Sequence, residues 1–219
     1  SSFQLMTMEH SPCIAVITNL APNHLDVHKS MEEYIAAKEN IYLHQSADDR
    51  LILTADNRIT RAFAQTARGS VTLFSRTVKP SGDCLFLRDV AIWRKGGGEA
   101  RKLLCRSDIL LPGDHNVENY MAAIAAVDGL VPQQVIRDYV KTFGGVEHRI
   151  ELVRTLNGVR YYNDSIASSP TRTIAGLKCF PEKVILIAGG YDKHIPFDVL
   201  GPEITAHVKR LILTGDTAR

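Results

Sequence analysis

The chain has 219 residues, 45% hydrophobic and 23% charged, an ordinary globular composition with length for one large domain or two small ones. Its net charge of +2, with basic residues scattered rather than blocked, excludes a charge-driven case for a nucleic-acid or membrane partner. There is no apolar run near the roughly 18 residues of a spanning helix and no signal-peptide pattern, so a soluble, cytoplasmic protein is expected.

The opening SSFQLMTM has no initiator methionine and reads like the middle of an element, while LILTGDTAR stops just past a strand. Both ends read as those of an excised piece of a longer protein. Cys13 to Leu20, CIAVITNL, has the character of a strand buried on both faces, and it empties into a loop holding Asn23, His24, Asp26 and His28. From Met31 the large apolar side chains fall at Met31, Tyr34, Ile35, Ile41 and Tyr42, the spacing of one helix face. Ser30 and Glu33 form a Ser-x-x-Glu capping box that fixes the helix start. Lys38 falls on the same stripe. Burial disfavours an ammonium and frees the amine as a base, a nucleophile or a carbamate, whereas a packed stem with a snorkelling charge fits the pattern equally. Because ligands gather beyond the carboxyl ends of strands in open α/β sheets, His24, Asp26 and Lys38 are candidates for one site.

Arg50 to Asn57 reads as a buried strand, Ile59 to Thr66 as a short helix and Ser70 to Thr77 as a strand. Cys84 to Arg94 and Ala100 to Ile109 alternate like antiparallel partners turned at Gly96, Gly97 and Gly98. The LLPGD stretch at 110–114 breaks this pattern, a helix follows from Asn116 to Val127, and Pro132 opens a second helix. Gly144 and Gly145 mark a hinge or domain boundary. Beyond it, Arg149 to Arg154 and Val159 to Tyr162 form a hairpin turned at Asn157-Gly158. Ser169-Pro170 opens a helix that runs to Cys179. Lys183 to Ala188 and Arg210 to Thr214 read as buried strands around a Phe197 to Val208 helix, the alternation of a parallel sheet. The four cysteines, Cys13, Cys84, Cys105 and Cys179, form no C-x-x-C pair and read as reduced core residues.

Several polar positions carry chemistry in this frame. Asn116 and Asn119, three residues apart on one helix face, can offer donor and acceptor to a purine edge, although asparagine near a helix start is also a cap. Arg149 follows the double glycine as either a surface arginine or a phosphate ligand. Asp164 and Ser165 lie between a strand and a helix, where they suit an anion-binding turn or a plain Asx-turn.

The NHLD motif followed by a helix ending AAKENIY resembles the Mur ligase family, ATP-dependent amide-forming enzymes of bacterial cell-wall synthesis. The resemblance implies that His24 contacts magnesium and that Lys38 is carbamylated and helps organise the metal site. It further places Asn116 and Asn119 against the adenine of ATP, Arg149 on the ATP phosphates and Asp164 near the nucleotide. Ser168 and Lys193 fall near the amino-acid substrate. Within the family, NDSIASSPT together with GGYDK is most similar to the members that add D-glutamate to UDP-N-acetylmuramoyl-L-alanine. The sequence departs from the family at Asn23, often acidic in relatives, and at Ile166, a lysine in some of them. It also holds no Gly-Lys-Thr P-loop, and without one the isolated chain is expected to lack ligase activity.

The expected fold class is α/β. Residues 1–145 would form a truncated central ATPase-type domain with an antiparallel appendage, and residues 146–219 an incomplete Rossmann-like parallel α/β domain that begins the amino-acid-binding part. Expected cofactors are ATP and Mg2+. The complete enzyme is expected to work as a monomer without nucleic acid or membrane. Alternatives are another Mur ligase, a folylpolyglutamate synthase-like ligase, or a non-catalytic nucleotide-binding module.

Overall fold

The structure, a computed structural model, describes residues 2–20, 30–191 and 196–218. It divides into two compact units, Ser1–Ile109 with Val117–Lys141, and Leu110–Asn116 with Thr142–Arg219.

The first unit is built on a six-stranded sheet in the order β1 to β6. Strands β1 (Ile14–Ile17), β2 (Arg50–Thr54), β3 (Ser70–Ser75) and β4 (Cys84–Arg88) are parallel. Strands β5 (Ala91–Lys95) and β6 (Arg101–Cys105) add an antiparallel meander. The chain preceding β1 contributes one short helix, α1 (Ser2–Leu5). Helix α2 (Met31–Leu43) starts as its capping box predicts, with the Ser30 hydroxyl accepting from the Glu33 N–H at 3.2 Å. Its apolar stripe is the core: Tyr34 and Tyr42 are buried with Ala15, Ile17, Leu51, Leu53 and Phe63, and Met31, Ile35 and Ile41 pack around them.

Polar contacts set the direction of the helices. The C-terminal end of α2 is pinned to the start of β1, since Ser11 donates to the Asn40 carbonyl at 3.0 Å and accepts from the His44 N–H at 3.0 Å. Gln45, 1% exposed, donates from Nε2 to the carbonyls of Pro12 at 2.8 Å and Arg50 at 3.0 Å, joining the beginnings of β1 and β2. Helix α2 therefore runs antiparallel to the strands. Helix α4 (Asp114–Val127) does the same. Arg50, at the start of β2, donates to the carbonyls of Asp128 at 2.7 Å and Ala126 at 3.4 Å, while Arg76, just past β3, pairs with Glu118 in the first turns of α4 at 3.1 Å. The guanidinium thus meets the negative end of the helix dipole. Helix α3 (Arg58–Ala62) follows β2, capped by Asn57.

The appendage differs from the sequence reading. Cys84 to Arg94 is two strands, turned at Asp89 and Val90 with φ of 49° and 54°. Positive φ at both positions is the two-residue hairpin geometry that suits strand twist, but valine there carries no sequence signal. The turn is held from behind by the Arg88 guanidinium, stacked 3.8 Å from the centre of the Trp93 ring. The expected burial of β1 on both faces is also corrected: it spans four residues, pairs only β2, and alternates between half-buried and buried side chains. All four cysteines are free, but Cys84 alone is fully buried and Cys13 is exposed.

In the second unit, Asn157 and Gly158, at φ of 50° and 78°, turn a hairpin of β7 (Glu151–Leu156) and β8 (Val159–Asn163) as predicted. Helix α6 (Pro170–Leu177) leads to β9 (Val184–Gly190), and helix α7 (Leu200–His207) to β10 (Val208–Gly215). The eight-residue helix α5 (Gln133–Val140) belongs to the first unit. Strands β9 and β10 pair in parallel, but they are not the buried strands their sequences suggest: Ile187 is 69% and Leu213 50% exposed. A parallel sheet is buried only where helices cover both faces, and a two-stranded pair with α6 and α7 lacks that cover.

Gln45 gives a direct test of the first unit. Gln45→Met keeps the volume but leaves the Pro12 and Arg50 carbonyls without their donor. It is expected to lower unfolding free energy by about 1 to 3 kcal/mol with an unchanged m-value in urea titration.

Candidate functional site at the carboxyl edge of the parallel sheet

Asp56 follows β2, where the chain turns out of the sheet. Its carboxylate accepts from the hydroxyls of Ser75 and Thr77, each at 2.5 Å, and from the Arg76 N–H at 2.8 Å. Burial alone would raise its pKa, but these hydrogen bonds outweigh it and hold the carboxyl below its ordinary range. The neighbouring Asn57 caps α3 through Oδ1 and donates from Nδ2 to Asn19 Oδ1 at 2.9 Å and the Leu20 carbonyl at 2.7 Å. The exits of β1, β2 and β3 are thereby laced into one rim. Sequence reasoning missed Asp56 and Asn57. Their signal was a polar pair just past a strand with a Leu-Ile-Leu core, which resembled ordinary turn chemistry.

Two of the predicted groups lie on the helices that run antiparallel to these strands. Lys38 is half-buried on α2 with its ammonium 5.5 Å from the centre of the Tyr34 ring. Helical side chains lean toward the N-terminus, so the lysine points along α2 toward the carboxyl edge, over an aromatic face that favours a cation. Asn119 is exposed one residue beyond Glu118, which Arg76 ties to the end of β3. Asn116, three residues earlier, is buried, and its Nδ2 donates to the Pro112 carbonyl at 2.6 Å. That amide hydrogen holds the LPGD turn, so Asn116 braces the helix start. His24, with Asn23, Asp26 and His28, lies outside the described residues, as does Lys193.

In the second unit, Arg149 is exposed between two residues in the left-handed region, His148 at φ 65° and Ile150 at φ 46°. A β-branched residue there is strained. The bend is held by Asp164, whose Oδ1 accepts from the Ile150 N–H at 3.1 Å, and by Glu151, which accepts from the His148 N–H at 2.8 Å. Asn163 also bonds the His148 ring at 2.8 Å. The expected Asx-turn exists, but Asn163 makes it, accepting from the Ser165 N–H at 3.1 Å. Asp164 instead packs on Gly176 of α6, where a Cβ would fall 2.7 Å from its Oδ2. Burial raises the pKa of Asp164, against the opposing pull of the Ile150 N–H and of the Arg149 and His115 charges. Ser168 is exposed in the loop before α6, its N–H donating to the Ile166 carbonyl at 2.8 Å, and Ile166 is 44% exposed.

Residues 2–127 match the Mur ligase middle domain. A UDP-N-acetylmuramoylalanine--D-glutamate ligase of Acetivibrio thermocellus is 60% identical over 218 residues, covering 100% of this chain and 47% of the relative. A protein of the same name from Ruminiclostridium cellulolyticum is 52% identical over the same length, again covering 100% and 47%. The chain therefore spans about half the length of the curated relatives it matches. Among solved structures, MurF from Acinetobacter baumannii superposes with a TM-score of 0.70 at 18% identity, over 95% of this chain and 48% of that one. A UDP-N-acetylmuramate-alanine ligase, MurC, from Thermotoga maritima gives 0.63 at 19%, over 95% and 52%. At these identities the structures speak for the fold alone.

The Asp164 carboxyl has a pH signature. Its folded pKa lies above its ordinary value of 3.8, so the folded state binds the proton more tightly, and stability falls as pH rises from 3.8 through the raised value. Asp164→Asn cannot ionise but keeps an oxygen for the Ile150 N–H. It is expected to be more stable than the parent at neutral pH, with the gap closing below about 3.8 in urea titrations across pH. A gap independent of pH would show that the carboxyl ionises in the fold as it does in the unfolded chain.

Proposed function

From the chain's place in the Mur ligase family, to which the middle-domain match over residues 2–127 shows it to belong, we propose that it is part of an enzyme adding D-glutamate to UDP-N-acetylmuramoyl-L-alanine. The observation that carries this reading is the 60% identity, along its whole length, to a relative bearing that activity in its name. We assign residues 1–145 to the central ATP-binding domain and residues 146–219 to the first part of the amino-acid-binding domain. A cytoplasmic setting suits a nucleotide-linked substrate, and among the described residues no helix is long and apolar enough to cross a membrane.

In the proposed reaction, a carboxylate oxygen of the substrate attacks the γ-phosphorus of ATP and ADP leaves, giving an acyl phosphate. The D-glutamate amine then attacks the acyl carbon, phosphate leaves, and the amine loses its proton as the amide forms. Asn119 contacts adenine at the carboxyl edge, with Asn116 fixing the helix that carries it. Arg149 serves the transferring phosphate, where a guanidinium that cannot deprotonate offsets developing charge. Asp164 keeps the strained bend that presents Arg149. Ser168 and Lys193 serve the amino acid.

Magnesium is the family's expected ion, with His24 and a carbamylated Lys38 as its proposed contacts. Among the described residues no three His, Cys, Asp or Glu side chains cluster to hold a metal.

The reading is tested by phosphate release from ATP in the full-length protein, which is expected to require both D-glutamate and the UDP-linked substrate. Turnover with another amino acid moves the protein to a neighbouring branch, and nucleotide binding without turnover makes it a binding module.

Within that assay, Lys38→Arg is expected to remove most activity, about a hundredfold or more, because a guanidinium cannot form a carbamate. Lys38→Ala is expected to regain part of it with an added small carboxylate. An unchanged rate in Lys38→Arg would leave only the packing over Tyr34.

Asn119→Ala is expected to raise the KM for ATP with little change in kcat, since a base contact is alike in ground and transition states. Arg149→Ala is expected to lower kcat by the equivalent of about 2 to 4 kcal/mol. The reverse assignment of effects would overturn both roles.

A further inference from the structure

The first unit holds a recess at the C-terminal end of α4, away from the proposed adenine contact Asn119. It encloses about 430 Å³ between β6, the end of α4 and the start of α5, a volume within the range of small-molecule sites. Ile124 and Asp128 at its wall lie five and nine residues beyond Asn119, so Asp128 stands about 13 Å further along the helix direction.

Its lining combines an apolar floor with unmatched donors. Leu104 and Ile124 are buried, and Ile136 from α5 completes the floor. Arg101 and Arg137 both line the recess. Arg137 has its Nε fixed on the Leu103 carbonyl at 3.0 Å, which orients the guanidinium, and neither arginine meets a carboxylate among the described residues. Gln133 supplies a buried Nε2 with no hydrogen-bond partner among them. A buried amide donor left unpaired is costly, and an acceptor entering the recess would remove that cost. Helix α5 begins here, its Pro132 N-cap offering no side-chain bond to the first amides, so the positive end of its dipole adds to the field.

The acidic groups are accounted for. Asp128 lines the recess, but its carboxylate accepts from Arg94 Nε at 2.8 Å, and Arg94 also pairs with Asp83. Glu99 faces an adjoining hollow of about 230 Å³ that Arg94, Arg101 and Asp128 share. Among the residues lining the two hollows, Arg94, Arg101 and Arg137 outnumber Asp128 and Glu99, and Arg101 and Arg137 meet no carboxylate among the described residues.

We propose that this recess binds a small amphipathic carboxylate, its apolar body on Leu104, Ile124 and Ile136 and its carboxylate on Arg101, Arg137 and the Gln133 amide. The site is separate from the nucleotide-facing edge, and its occupancy is independent of the ligase reading. Helix α4 connects the two, so a ligand here is placed to bias the helix that carries Asn119.

The test is titration of the 15N-labelled chain with 4-phenylbutyrate, and with 4-phenylbutanamide as its uncharged counterpart, followed by amide chemical shifts. Saturable shifts are expected for the carboxylate at residues 130–136, with the amide binding about tenfold more weakly, the loss of one charge-assisted bond. Arg101→Gln, at an exposed position, is expected to weaken the carboxylate by a similar factor without changing the melting temperature, and Gln133→Met to weaken it severalfold. The proposal is overturned if no saturable shift appears at millimolar probe, if the shifts lie elsewhere, if acid and amide bind alike, or if Arg101→Gln has no effect in a folded chain.

Discussion

The carboxylate of Asp56 has both oxygens committed to hydroxyl and N–H donors at the end of β3, and it lies one residue before the asparagine that reaches across to the end of β1. Strand exits are where a parallel sheet loses its ladder, and each leaves backbone groups in need of partners. Asp56 and Asn57 supply those partners across three strands at once. The rim is a fixed frame at the carboxyl edge, and α2 and α4, which carry Lys38 and Asn119, both run antiparallel to the strands. A ligand site built on such a frame depends on loops that are already hydrogen-bonded before any ligand arrives, which is the physical content of preorganisation.

The opposite end of the sheet is organised by guanidinium groups. Arg50 caps the carbonyls at the end of α4, and Arg94, with a side chain only 12% exposed, bridges Asp83 and Asp128. A charge so deeply placed is tolerable only when paired on several sides, and here the pairing fastens β5 to the end of α4. Helix α4 is thus clamped at both ends, by Glu118 to Arg76 and by its terminal carbonyls to Arg50. The recess beside Arg101 and Arg137 lies at this end.

Much of this was legible in the residues. The α2 stripe, its Ser30 cap and the Asn157-Gly158 hairpin follow from local rules, because helix periodicity and turn chemistry are decided by near neighbours. The family was readable from NHLD and AAKENIY, and NDSIASSPT with GGYDK suggested the branch proposed above. The division of Cys84 to Arg94 into two strands was not, since its turn rests on Val90 in a conformation that valine disfavours and that the Arg88–Trp93 stack maintains. Burial was misjudged for β1, β9 and β10 for a common reason: an apolar run reports what a strand can bury, whereas its exposure depends on how many elements lie against it. Asn116 shows a related limit, since nothing in the motif announces that its amide donates to the Pro112 carbonyl.

The two kinds of strand connection also set an order of assembly. Strands β4, β5 and β6 follow one another through short turns, so their ladders close between near neighbours in sequence. The parallel pairs β1–β2 and β9–β10 each need an intervening helix to form and dock first, with the larger loop entropy that such contacts carry. The meander is therefore the natural early nucleus of the first unit, and the rim around Asp56, which joins residues from Asn19 to Thr77, is among the last features to close. The strand-exit geometry in this fold is a late product of folding, and a chain stalled with its meander complete would have a formed sheet edge and no rim.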